Sequence, residues 1–207
     1  SWGGPLNGQS FRRLIVESLV AELATERIVE TGTFRGTSTE LFAELAEVWT
    51  VEASPRFYWY SWLRLRRRGN VHLLRGDSRA RLRDLSRRPE LTGARTLFYL
   101  DAHWGPDLPL ADELLIAAGA WSSWVAVIDD FRVPGDEGYG YDAYSPEATL
   151  EEAYLRARGP AGLRVFYPRL PSRLETGRLR GCAIVTTVDD VAARLRGLTD
   201  LLVEAER

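Results

Sequence analysis

Residues 28–39 read IVETGTFRGTST, and this stretch decides the fold. Ile28, Val29 and the acid Glu30 end a short strand-like run. Gly32 and Gly36 then bracket a turn, and Thr37, Ser38 and Thr39 open the helical run ELFAELAEV. Strand, tight glycine turn and helix N-terminus, in that order, expose backbone N–H groups to a ligand in an α/β fold. Glu52 closes the next β-like run, WTVE, twenty residues beyond Gly32. A carboxylate there can hold the two hydroxyls of a ribose. The pattern implies a nucleoside-containing cofactor, with a purely structural turn as the alternative.

The residue between the glycines narrows the cofactor. A dinucleotide site wants G-x-G-x-x-G, whose second glycine lets the backbone approach a pyrophosphate. Phe34 stands there, and its ring obstructs that approach. S-adenosylmethionine carries no phosphate, and E-x-G-x-x-x-G-x-S/T suits its methionine end. Glu30, Gly32, Thr33, Gly36 and Ser38 are therefore the expected cradle, with Glu52 on the ribose.

Outward from this turn, strand and helix alternate. A helix is expected over 9–25, then strands near 27–31, 48–52, 71–75, 96–100 and 124–128, each followed by a helical segment. Two further strands, 163–167 and 181–187, form a hairpin-like pair. The expected architecture is one α/β domain over residues 1–207, a Rossmann-like doubly wound, mostly parallel seven-stranded sheet with an antiparallel last strand. Residues 1–25 form an N-terminal helical region. Residues 132–146, rich in glycine, proline and tyrosine, form a mobile active-site loop. Residues 188–207 form an amphipathic C-terminal helix with Val191, Leu195, Leu198 and Leu202 on one side, packed on the sheet or on a partner chain. A homo-oligomer is compatible with that stripe.

Composition sets bounds. The 207 residues fit one domain; 45% are hydrophobic, 27% charged, and the net charge is −2. That charge gives no general attraction to nucleic acid or anionic membrane. All 27 basic residues are arginine, which excludes lysine Schiff bases and lysine general bases. Cys182, the single cysteine, lies in the apolar run CAIV and reads as a buried structural thiol. The longest apolar stretch, 114–128, is interrupted, so no transmembrane helix is expected, and no secretion signal opens the chain. The cytoplasm is the default location. The helix 55–68 mixes arginine with aromatics, but Tyr58, Trp62 and Leu65 share one face, the pattern of a packed surface helix rather than a nucleic-acid platform.

Five acids, Glu30, Glu52, Asp77, Asp101 and Asp129, fall at successive strand ends, along the edge where such sheets bind ligands. Asp77 and Ser78 suit the adenine, unless Asp77 only caps the next helix. Asp101, Asp129 and Asp130 bring three carboxylates together from neighbouring strands. Hard oxygen ligands in that number suit Mg²⁺, with Mn²⁺ or Ca²⁺ as alternatives, and a solvated acidic rim is the other reading. Both adjacent aspartates can face a cation only if the chain turns between them. His103, two residues beyond Asp101, is the best candidate for a general base, a structural histidine being the alternative. Trp104, Tyr139 and Tyr141 offer flat faces to an acceptor.

VETGTFRG, TVEAS, GDS, LDAH and IDD together resemble the class I S-adenosylmethionine-dependent methyltransferases, and among them the metal-dependent sugar O-methyltransferases of the macrocin (TylF-like) type. The resemblance runs from about residue 26 to 187. It implies that Asp101, Asp129 and Asp130 hold a divalent metal and that His103 stands where the family often has an aspartate base. It also implies methyl transfer to a hydroxyl of a sugar, glycoside or other small natural product. A metal-independent methyltransferase acting on nitrogen or a carboxylate, and a cofactor-binding protein without catalysis, are the rivals.

Overall fold

The computed structural model describes residues 3–103 and 107–206. In chain order it forms α1 (Ser10–Glu22), β1 (Arg27–Thr31), α2 (Thr37–Leu45), β2 (Glu47–Glu52), α3 (Pro55–Leu65), β3 (Val71–Arg75) and α4 (Ser78–Leu85). Then come α5 (Pro89–Thr92), β4 (Thr96–Leu100), α6 (Leu110–Ala120), β5 (Trp124–Asp129), α7 (Glu152–Arg158), β6 (Arg164–Pro168), β7 (Cys182–Thr186), α8 (Asp189–Gly197) and β8 (Leu202–Glu204). A 3₁₀ turn, Pro5–Gly8, precedes α1. The strand order is β3-β2-β1-β4-β5-β7-β6-β8. The strands from β3 to β5 pair in parallel, whereas β7 is antiparallel to both β5 and β6, and β8 is antiparallel to β6.

Every residue of β4 and β5 is buried, as expected for central strands covered on both faces. Alternation sends Phe98 and Leu100 to one face, against Leu82, Leu114 and Trp121. Leu97 and Tyr99 face the other way, against Ile15, Leu19 and Phe42. The result is a three-layer αβα sandwich whose strand order reverses between β1 and β4, the switch point where a cleft opens at the carboxyl edge.

The doubly wound reading holds, with an eighth strand added. The C-terminal segment expected to be one helix over 188–207 stops at Gly197, and Leu202 enters β8 instead. Leu202 is buried and Val203 exposed, an alternation that serves a strand as well as the apolar stripe would serve a helix. In α3, Leu65 of the expected packed face is buried and Tyr58 half-buried, whereas Trp62 is exposed, as are Trp59, Tyr60 and Leu63 outside that face. Residues 132–146 hold no helix or strand, but they are stitched down: Asp142 N–H donates to the Asp130 carbonyl, Gly140 N–H to Leu179, and Gly181 N–H to Gly140. Among the described residues no helix is long and apolar enough to cross a membrane.

Candidate active site

A cavity of about 680 Å³ opens at the switch point, a volume typical of small-molecule sites. Glu30, Glu52, Asp101 and Asp129 line it from four strand ends. The sequence rule about strand-end acids thus holds for four of the five.

At the β1–β2 end, Gly32 has φ 89°, and a Cβ there would lie 2.4 Å from the Asp101 carbonyl oxygen. Only glycine permits both that conformation and that approach. Phe34, two residues on, also has positive φ (49°), which costs a non-glycine residue roughly 1–2 kcal/mol. Glu52 stabilises the strained turn by accepting the Phe34 N–H at 2.7 Å, and it also accepts the Ser54 N–H at 2.7 Å. Glu30 is buried and accepts the Thr39 hydroxyl at 2.5 Å and the Thr50 hydroxyl at 2.6 Å. With the Thr50 proton so committed, Thr33 donates to Thr50. Burial pushes the Glu30 carboxyl up to about 7 despite these donors.

Thr33, Ser38 and Ser78 line the cavity as expected, and Ser38 Oγ accepts the Leu6 N–H at 3.0 Å. Gly36 does not line it. It starts α2 at φ 72°, against Leu65, and its part is in packing. Asp77 is also displaced from its expected role on the adenine. Its carboxylate caps α4 through the Ala80 N–H at 3.1 Å and pairs with Arg79, while Gly76 and Ser78 face the cavity.

At the β4–β5 end the acids meet arginines. Asp129 Oδ1 accepts from Arg12 Nη1 and, at 2.8 Å, from the Asp130 N–H. Oδ2 accepts from the Tyr99 hydroxyl at 2.8 Å and from Asn7 Nδ2 at 3.3 Å. Burial alone would raise the Asp129 carboxyl, but the charge and hydrogen bond of Arg12, aided by Tyr99, hold it below the usual carboxylate range. The chain does turn after β5, as required: Asp130 has φ 53°. Asp130 Oδ1 then takes Arg180 Nε at 2.5 Å, and Arg180 Nη2 pairs with Asp142. Burial, then the neighbouring Asp129 charge, pushes Asp130 up to about 6. Asp101 rises well above its ordinary value, by burial and then by the charges of Asp129, Asp130 and Glu30.

This arrangement gives no support to the expected metal ligand set of Asp101, Asp129 and Asp130. All four acceptor positions of Asp129 are filled by protein donors, and a guanidinium already neutralises it. Among the described residues no group of three or more His, Cys, Asp or Glu side chains is arranged to hold a metal ion. The residues present do not fit a divalent cation.

His103 lines the cavity and is 2% exposed. Its Nε2 lies 3.1 Å from the Asp129 carbonyl oxygen, which can only accept, so Nε2 carries the proton. Nδ1 keeps its lone pair and has no partner. Burial lowers the imidazole below its ordinary value, so the ring is neutral at pH 7. The Tyr144 hydroxyl bonds the His103 carbonyl oxygen and lies 2.9 Å from Asp142 Oδ2.

Of the aromatics expected at the acceptor, Trp104 lies outside the described residues. Tyr139 is core, 4% exposed, with its hydroxyl on the Leu170 carbonyl at 3.2 Å. Tyr141 stands outside the cavity with Arg132 5.6 Å from its ring. Tyr144 takes the lining position instead. Arg12, Asn7, Asp142 and Arg180 were not anticipated. Arg12 left a signal: it occupies the apolar stripe of α1 with Ile15, Val16 and Leu19, where a charge demands a buried partner.

No protein-family model matches the sequence, and no curated protein matches it. Solved structures do. The O-methyltransferase TomG of tomaymycin synthesis from Streptomyces achromogenes, in complex with S-adenosylmethionine, aligns with a TM-score of 0.63 at 19% identity, covering 86% of this chain and 79% of that one. An O-methyltransferase from Bacillus cereus in complex with S-adenosylhomocysteine gives 0.60 at 16%, covering 86% and 81%. An amino pentose methyltransferase of calicheamicin biosynthesis from Micromonospora echinaspora gives 0.56 at 18%, covering 87% and 93%. At these identities the likeness is one of fold: the chain has the Rossmann-like fold of the class I S-adenosylmethionine-dependent methyltransferases.

Proposed function

We propose that this chain is an S-adenosylmethionine-dependent methyltransferase that methylates a hydroxyl of a sugar, glycoside or other small natural product. The observation that carries the reading is the convergence of Glu30, Glu52, Asp101 and Asp129 on one cavity beside a glycine turn. Raised carboxyls such as Glu30 and Asp101 disfavour further negative charge, so the cavity suits an ammonium and a sulfonium rather than a pyrophosphate. Gly32 and Thr33 are assigned to the methionine end, Glu52 to the ribose, and Gly76 and Ser78 to the base. When bound, S-adenosylmethionine supplies an activated methyl group, so the protein's task reduces to aligning and deprotonating the acceptor.

His103 is assigned the proton. Its buried, unpaired Nδ1 would accept the acceptor hydroxyl's proton once the acceptor is seated, and bound S-adenosylmethionine would supply the methyl group. Asp130, Asp142 and Tyr144 supply polar groups for further acceptor hydroxyls. No step runs through a divalent ion, because Arg12 and Arg180 already answer Asp129 and Asp130, two of the three carboxylates it would need. An amine acceptor is the second reading, favoured by the acidic lining at Asp130 and Asp142.

His103→Asn separates the two. Loss of a general base typically costs ~10²–10⁴-fold in rate, and that loss is expected for a hydroxyl acceptor. The wild-type rate on a hydroxyl should also fall on the acid side as the imidazole protonates, at a pH below its ordinary 6.5. An amine acceptor that enters neutral would lose far less. Failure to bind S-adenosylhomocysteine in a calorimetric titration would remove both readings.

A further inference from the structure

We propose that the guanidinium of Arg12 is the resident cation of this site, occupying the place at Asp129 that a divalent ion would need. Its second role is to position His103 through Asp129.

Arg12 is 2% exposed on the inner stripe of α1. Its Nη1 reaches Asp129 Oδ1 and lies 3.1 Å from the Tyr99 hydroxyl, and its Nη2 bonds the Arg180 carbonyl oxygen. One side chain thus ties α1 to β4, β5 and the segment before β7. Arg180, whose backbone Arg12 holds, in turn places a second guanidinium between Asp130 and Asp142. Two fixed positive charges therefore stand among Asp101, Asp129, Asp130 and Asp142. To coordinate Asp129, a metal ion would have to expel a buried guanidinium already hydrogen-bonded to Asp129, Tyr99 and the Arg180 carbonyl. A covalently attached cation that is itself buried has no dehydration step to repeat at each turnover.

The positioning role follows from the same bonds. Asp129 is clamped by four donors to its carboxylate, and its carbonyl oxygen accepts the His103 Nε2–H. That bond fixes the tautomer that leaves Nδ1 free to accept a proton. Arg12 touches neither reacting atom in this scheme; it acts through Asp129. Only this positioning role rests on the methyltransferase reading, since the occupancy of Asp129 by a guanidinium can be tested without turnover.

The test is titration of Mn²⁺ alone into the full chain, followed by electron paramagnetic resonance, for wild type, Arg12→Lys and Arg12→Met. Wild type and Arg12→Lys are expected to show no saturable site up to millimolar metal. Arg12→Met should gain one at least tenfold tighter, because Asp129 is left without its cation. A saturable wild-type site that Asp129→Asn removes would overturn the proposal without any need for the Met variant to fold. A folded Arg12→Met that gains no Mn²⁺ would overturn it too. Titration of S-adenosylhomocysteine into the same samples reports separately on the methyltransferase reading. Under the positioning role, Arg12→Lys should shift the acid limb of the kcat–pH profile while KM for the cofactor stays within twofold. An unmoved acid limb would remove that role.

Discussion

At the β1–β2 end of the cavity, carboxyls are answered by threonine hydroxyls and main-chain N–H groups; at the β4–β5 end Asp129 and Asp130 are answered by arginines. The donors differ in reach as well as kind. Glu30 and Glu52 find their partners two to twenty residues away along the chain, whereas Arg12 lies 117 residues from Asp129 and Arg180 lies 50 from Asp130. Uncharged donors leave the first pair of acids raised and adjustable. A guanidinium holds Asp129 ionised and fixed. The β1–β2 end can thus respond to a cationic ligand, while Asp129 at the β4–β5 end is set before anything binds.

The largest break in that comparison comes from Asp129→Ala. Removing one partner of a buried ion pair leaves an uncompensated charge, here Arg12, at a cost of about 3–5 kcal/mol. Against a total stability of roughly 5–15 kcal/mol, that is a large share. Urea denaturation should show the full loss, while affinity for S-adenosylhomocysteine stays within about threefold in the protein that remains folded, a change worth less than 1 kcal/mol. An equal loss of cofactor affinity would mean that the two ends are not separate.

The next effect has the opposite sign in pH. Glu30 is raised from 4.5 to about 7, so the folded chain binds its proton more tightly than the unfolded chain does. Stability then falls as pH rises from about 4.5 to about 7, by at most about 3–4 kcal/mol at ~1.4 kcal/mol per unit. Asp129 runs the other way: its folded value lies below the unfolded one, so its contribution is present above about pH 4 and is lost as pH falls through the folded value. Urea midpoints between pH 4.5 and 7.5 should decline for the ligand-free wild type, and Glu30→Gln should flatten that decline. An unchanged slope in Glu30→Gln would place the titrating group elsewhere, with the buried Glu113, also raised to about 7, the first alternative and Asp130, raised to about 6, the next.

The difference in reach also explains what the sequence could reveal. The first five strands are legible to within a residue or so, because period-two alternation, glycine turns and helix caps are local signals. Gly32, Thr33, Ser38 and Glu52 lie in such a segment, and the cavity contains them. Tyr139 and Tyr144 sit five residues apart in one glycine-rich loop, and nothing local says which is core. Asp101, Asp129 and Asp130 read as a metal site so long as Arg12 and Arg180, opposite the latter two, are unseen. Arg180 reaches Asp130 from the far side of β6, and no spacing rule spans that distance. The eighth strand escaped because Leu198 and Leu202 satisfy a helical period, while the register against β6 that decides the matter is set by the sheet.

Asp77 is the smallest expected effect and the one that tests where local reading stops. It stands at the end of β3, in line with four acids that do line the cavity, yet its side chain is 48% exposed and holds the Ala80 N–H and Arg79. Loss of an N-cap costs ~1 kcal/mol, so Asp77→Ala should lower stability by about that much. Its affinity for S-adenosylhomocysteine should stay within about twofold, because a cap facing away from the cavity touches no ligand. Ser78→Ala, one residue on and inside the cavity, is the matched control. A tenfold loss of affinity in Asp77→Ala with Ser78→Ala unchanged would return the carboxylate to the adenine and make all five strand-end acids one functional row. The reverse result would mark the point at which the row stops being a ligand edge and becomes a set of helix caps.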